Sequence, residues 1–212
     1  RGCARRCQQA GVELHPGHAP TLDELNALHP YAILDATGGL PAVPARIPGA
    51  QDSPLVCTPP DILTGKLQPT GEVIAVIGSG MTGLETAEIL SAPEKDNAVL
   101  VVEAAPRLAP GVYGSNRNAV TAVLDLNNAV CLTSRALTKV GTDRISLTDP
   151  QTGEAYTYPC QRVVLALGTT PTKPYGEALE TVCSRVFSVG DAAKSGMIWD
   201  AVHGGYHAAR EL

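Results

Sequence analysis

Three glycines and one acid carry the most legible chemistry in this chain. Gly78, Gly80 and Gly83 stand in the order Gly-x-Gly-x-x-Gly, and Glu103 follows about 20 residues later. Gly78 permits a tight turn, Gly80 lets a pyrophosphate approach the backbone, and Gly83 lets a helix pack close to its strand. A helix start at this place offers unpaired N–H groups and the positive end of its dipole to the anion. An acid at the end of the next strand is placed to accept a hydrogen bond from a ribose 2′-hydroxyl. Gly78, Ser79, Gly80, Met81, Thr82, Gly83 and Glu103 therefore read as a dinucleotide site. The carboxylate would repel a 2′-phosphate, so NADH is expected over NADPH. Arg107 stands where it can meet such a phosphate, but it reads as an exposed loop arginine.

Those residues need a strand, a turn, a helix and a second strand to position them, and the flanking sequence supplies all four. Val73–Ile77 is apolar throughout and β-branched except at Ala75, the pattern of a strand buried on both faces. After the glycines the period becomes helical, with Met81, Leu84, Ala87 and Leu90 on one stripe that Pro93 would stop. Ala98–Val102 is a second apolar run, and it ends in Glu103. The plain alternative is a glycine-rich turn that binds nothing. The full order of strand, glycines, helix, strand and acid argues against it.

The remaining elements follow in chain order. Residues 1–10 read as a helix ending at Gly11, residues 12–15 as a short strand, and Thr21 with Glu24 as a capping box opening a helix to about Leu28. Residues 31–36 read as a buried strand running into Thr37, Gly38 and Gly39. A crossing with Pro41, Pro44 and Pro48 should be irregular, and residues 61–67 should form a short helix. Residues 116–126 read as a helix and 130–132 as a third short strand. Residues 136–140, 144–148 and 154–158 alternate between polar and apolar around turn residues, which predicts a three-stranded antiparallel meander. Residues 162–167 return to a buried strand that stops at Gly168, 185–189 form another ending at Gly190 and Asp191, and 198–212 form a closing helix.

Composition narrows the class. A chain of 212 residues with a formal charge of −5 and no basic run is not built for nucleic acid. Its apolar runs are far shorter than the ~20 residues that span a bilayer, and its start lacks the apolar stretch of a signal peptide. The six cysteines include no Cys-x-x-Cys, and scattered thiols fit a reducing cytosol, so a cytoplasmic setting is expected. His203 and His207 are spaced as on one helix face, but no further ligands converge on them, so no metal site is expected. Nor is there an evident nucleophile, base or oxyanion device, and no residue is assigned a catalytic role.

Motif order then supports a family resemblance. Residues 31–41, with Ala36-Thr37-Gly38, resemble the Ala-Thr-Gly strand of flavoproteins with two dinucleotide domains. Ser188-Val189-Gly190-Asp191-Ala192 resembles their Gly-Asp signature, in which the aspartate holds a flavin ribityl hydroxyl. Between them lie the glycine turn and Leu165-Ala166-Leu167-Gly168. Gly11-Val12-Glu13-Leu14, Ile47-Pro48-Gly49, residues 83–88 and residues 208–212 strengthen the match. Over nearly its whole length the chain resembles the C-terminal half of the NADH:flavin oxidoreductases related to old yellow enzyme. That group includes 2,4-dienoyl-CoA reductase and trimethylamine dehydrogenase.

The resemblance implies an α/β fold: a Rossmann-like parallel sheet with a three-stranded antiparallel meander, inserted into a partial FAD-binding lobe of the same type. Residues 71–170 would be the inserted NAD(H)-binding domain, and residues 1–70 and 171–212 the partial FAD lobe. Thr37, Gly38, Gly168, Gly190 and Asp191 join the cofactor-binding residues on this ground. Asp191 equally suits a helix-capping acid and can serve both purposes. In the family a first FAD-binding glycine turn precedes the Ala-Thr-Gly strand, and an FMN-bearing barrel with an iron–sulfur cluster precedes that. The expectation is a redox module that passes hydride from NADH to FAD and electrons on to the barrel, and that binds FAD weakly or not at all by itself. Two alternatives stay open: a non-catalytic module holding ADP or AMP, and a fragment of a flavoprotein disulfide reductase.

Overall fold

The computed structural model describes residues 2–212. Arg1, part of the first expected helix, lies outside the described residues. Helices α1 (Gly2–Gln9) and α2 (Leu22–Ala27) precede strand β1 (Ile33–Asp35). The capping box of α2 is formed: Glu24 N donates to Thr21 Oγ1 at 3.2 Å, and Thr21 N to Glu24 Oε2 at 2.7 Å. The strand expected at residues 12–15 does not form. Those residues are exposed and irregular, because no neighbouring strand takes up their backbone groups.

Strands β2 (Gly39–Pro41) and β3 (Val56–Cys57) and helix α3 (Pro59–Leu63) lead into β4 (Val73–Ile77). Helix α3 lies earlier than the expected 61–67. Pro59 and Pro60 suit a first turn, where a missing N–H costs nothing. The Asp61 carboxylate then fastens that turn by accepting from Thr58 N at 2.9 Å and Thr58 Oγ1 at 2.7 Å. Next come α4 (Met81–Leu90), β5 (Ala98–Val102), α5 (Gly114–Leu126) and β6 (Val130–Leu132). The meander strands are β7 (Ala136–Val140), β8 (Arg144–Thr148) and β9 (Ala155–Pro159). The chain closes with β10 (Arg162–Leu165), β11 (Thr169–Pro171), α6 (Leu179–Val182), β12 (Val186–Ser188) and α7 (Ile198–Arg210).

The chain divides into two compact units, one holding Gly39–Thr170 and the other the residues up to Gly38 with Pro171–Leu212. In the larger unit a five-stranded sheet runs in the order β3-β10-β4-β5-β6 with every pairing parallel. Successive residues of a strand face opposite sides, and both sides are apolar here. Ile74, Val76, Val99 and Val101 pack with Leu84, Ala87 and Leu90 of α4 and with Val120 and Leu124 of α5. Ala75, Ile77, Val102 and Val163 face the antiparallel meander through Leu137, Val140, Ile145 and Leu147. The buried strand and the helical stripe read from the sequence are thus the centre of the fold. Truncating fully buried Leu84 or Leu90 to Ala would cost about 2–5 kcal/mol.

Residues 39–70, expected with the first lobe, pack in this larger unit. Val56 and Cys57 pair with Val163 and Val164 of β10, and Cys57 and Ile62 join the core on the helical side. In the smaller unit β1 and β12 form a parallel pair, with Ile33 opposite Val186 and Asp35 opposite Ser188.

Candidate dinucleotide site

The glycine turn leaves the carboxyl end of β4, where open α/β sheets bind their ligands. Two of its glycines are required by the fold itself. Gly78 has φ +100°, and a Cβ there would lie 2.4 Å from the Ala166 carbonyl oxygen. A Cβ on Gly83 would lie 2.1 Å from the Gly78 carbonyl oxygen, so α4 can sit this close to β4 only through glycine. Gly80 differs. Among the described residues, a Cβ there would meet no atom within 4 Å, so the fold leaves the space beside Gly80 open. That space belongs to a cleft of about 250 Å³ lined by Gly80, Met81, Thr82 and Gly83, with Pro59, Pro60, Leu165 and Gly168 around them. The first turn of α4 carries no acidic residue. Its leading N–H groups have no carbonyl within the helix to bond, and they add to the positive end of the dipole. The cleft therefore fits an anion held against backbone.

Glu103 belongs to the same construction. Its Oε2 accepts from Ser79 N at 3.0 Å and from Ser79 Oγ at 2.6 Å, and its Oε1 accepts from Ala105 N at 2.8 Å. Partial burial pushes the carboxyl's pKa up, but the hydrogen bonds from Ser79 and Ala105 outweigh it, and the net shift is downward. The acid is therefore ionised at neutral pH. Arg107 is exposed and donates to the Pro110 carbonyl at 3.3 Å.

Ser79 reads as part of the site from its place in the turn, but spacing does not give the contacts of its hydroxyl, nor does it point to Arg135. The Ser79 hydroxyl also accepts from Ala109 N at 2.8 Å, which ties the turn to the loop after β5. Arg135, just beyond β6, donates from its backbone N to the Glu103 carbonyl at 2.9 Å. Its guanidinium lies 3.8 Å from the centroid of the Tyr156 ring and donates to Asp149 Oδ2 at 3.0 Å.

The other residues singled out lie in the smaller unit. Thr37 and Gly38 follow β1, Gly190 and Asp191 follow β12, and the parallel pairing brings both to one end of the two strands. Asp35, nearly buried, accepts from Thr37 N at 3.0 Å and Thr37 Oγ1 at 2.7 Å, while Val189 N donates to the Asp35 carbonyl at 2.9 Å. Gly190 has φ +57° and lines a hollow of about 650 Å³ with Phe187, Lys194 and His207. Asp191 Oδ1 accepts from Gly196 N at 3.1 Å, a local turn bond. His203 stacks on Trp199 with ring centroids 4.0 Å apart. All six cysteines are free, and burial pushes the Cys57 and Cys160 thiols up to about 11, so both stay protonated. Among the described residues no helix is long and apolar enough to cross a membrane.

Known proteins place this architecture. The pyridine nucleotide-disulphide oxidoreductase family matches residues 6–209. An NADH oxidase of Thermoanaerobacter brockii is 30% identical over 207 residues, 96% of this chain and 31% of that protein. A bilirubin reductase of Mediterraneibacter gnavus (strain CC55_001C) is 30% identical over 202 residues, 95% of this chain and 30% of that protein. The structure of a 2-naphthoyl-CoA reductase in complex with 2-naphthoyl-CoA superposes with a TM-score of 0.83 at 24% identity, over 99% of this chain and 31% of that one. The last likeness speaks for the fold alone. The chain spans about a third of the length of each of these proteins. With the family matched almost end to end on a Rossmann-like sheet and meander, this chain belongs to the pyridine nucleotide-disulphide oxidoreductases as an FAD/NAD-binding type of redox domain.

Proposed function

We propose that this chain is the dinucleotide-binding part of an NAD(P)H-dependent flavin oxidoreductase. Residues 39–170 hold NADH. Residues up to 38 and 171–212 address FAD through Thr37, Gly38, Gly190 and Asp191. Electrons then leave for an FMN- and iron–sulfur-bearing barrel domain of a longer parent chain. One observation carries this reading: the space beside Gly80 opens into the cleft at a helix start, and an ionised acid is bonded to the same turn. The backbone of residues 80–83 takes the pyrophosphate, and Glu103 takes the adenosine ribose hydroxyl and disfavours a 2′-phosphate. Gly168, with φ +87°, keeps the opposite wall of the cleft free of side chain.

When bound, the nicotinamide and the flavin supply the hydride chemistry, and the chain's residues supply position and charge. The two relatives, an NADH oxidase and a bilirubin reductase, agree with a redox role. FAD should bind this chain weakly by itself. Its pyrophosphate needs several charge-assisted bonds of about 1.5–3 kcal/mol each, and Gly78, Gly80 and Gly83 are already assigned to NADH. The test is NADH-dependent reduction of ferricyanide by the intact protein that carries this chain. Turnover with NADH, slower with NADPH, is expected. ADP binding as tight as NADH binding, with no dye reduction, would leave only a nucleotide-holding module.

A further inference from the structure

Ser79 places a hydroxyl where phosphate binding needs none. The residue is completely buried, and its Oγ is shared between two partners. It donates to Glu103 Oε2 at 2.6 Å and accepts from Ala109 N at 2.8 Å. The Ser79 backbone N donates to the same Oε2 at 3.0 Å. Ala109 is fully buried as well and holds φ +46°, a left-handed conformation that costs an alanine energy. The loop after β5 is thus bent, at a cost, to bring its N–H onto the Ser79 hydroxyl.

A carboxylate has about four acceptor positions, two on each oxygen. Ser79 fills both on Glu103 Oε2, and Ala105 N fills one on Oε1. The Ala104 backbone also bonds this carboxylate, so Glu103 is held by its own loop on one side and by the glycine turn on the other. We propose that Ser79 is a positioning residue for dinucleotide choice: it anchors Glu103 Oε2 to the glycine turn, so that the carboxylate stays in place beside the turn and the site selects a ribose with a free 2′-hydroxyl. This inference rests on the reading of the 78–83 turn as the NADH site. Without the hydroxyl, Glu103 is held on that side by one backbone N–H, and Ala109 N loses its acceptor. The carboxylate is then free to swing toward solvent when a 2′-phosphate enters.

The test is titration of the full chain with NADH and with NADPH, following nicotinamide fluorescence, for wild type, Ser79→Ala and Ser79→Cys. Ser79→Cys keeps the volume and a weak donor. Thermal melts establish that each variant is folded. The preference for NADH over NADPH should fall about tenfold in Ser79→Ala, the scale of a lost hydrogen bond to a charged group, with Ser79→Cys in between. A merely structural role would weaken both ligands together and leave their ratio unchanged. A wild-type preference retained in Ser79→Ala would overturn the proposal while leaving the NADH site intact. If Ser79→Ala does not fold, Ser79→Cys decides, and a ratio equal to wild type overturns the proposal. Wild type that takes up neither nucleotide would overturn both this proposal and the reading it rests on.

Discussion

Gly80 and Gly83 sit three residues apart in one turn, yet glycine is needed at each for a different reason. At Gly83 the need is internal, because a Cβ would be driven into the Gly78 carbonyl. Gly83→Ala should therefore lose about 3 kcal/mol of stability, at the upper end of the cost of overpacking. At Gly80 the fold leaves room. Gly80→Ala should cost about 1 kcal/mol or less of stability, a helix-cap effect, but weaken NADH binding at least tenfold by obstructing the pyrophosphate. Urea unfolding and NADH titration of both variants separate the two. Equal stability losses, or unchanged NADH affinity in Gly80→Ala, would contradict this division. Residues of this kind are legible from sequence because their spacing is local. The Ser79 hydroxyl and Arg135 were not legible, because their partners Glu103, Ala109 and Asp149 are met only after strands have aligned.

Among the elements, α3 shows how a short helix is fixed without a periodic pattern. Its Asp61 carboxylate is pushed down to about 2 by the Lys66 ammonium and then by the Thr58 hydroxyl and amide. A depressed carboxyl contributes stability above its ordinary value of 3.8, and that contribution is lost as pH falls toward 2. Asp61→Asn should therefore destabilise the chain at pH 7 by about 1 kcal/mol, the scale of a lost cap. Melts at decreasing pH should show the difference from wild type closing between pH 4 and pH 2. A difference that persists at pH 2 would mean that the carboxylate's charge is not what matters. The expected bounds of 61–67 lie two residues late, because the helix starts at Pro59-Pro60 and is fastened by the bonds from Thr58 to Asp61, which make no periodic pattern. The sequence reading also missed β3, which has only Val56 and Cys57 and owes its existence to the edge of β10. The opposite error, a strand at residues 12–15, has the same origin, since pairing is a property of neighbours. Strand β4 and helix α4 were plain because the hydrophobic period changes sharply from continuous to helical at Gly78.

At the scale of the molecule, the glycine turn, α4, Glu103 and the cleft all belong to one compact unit, Gly39–Thr170, whose sheet is covered by helices on one face and the meander on the other. The turn of this unit is the proposed seat of the NADH pyrophosphate. Amide-resolved NMR of the full chain during an NADH titration tests it most directly. Saturation is expected at one NADH per chain, with the largest shifts at the amides of Gly80, Met81, Thr82 and Gly83 and a second group at Glu103 and Ala105. Saturable shifts confined to other residues, or no shift at these amides at millimolar NADH, would contradict it.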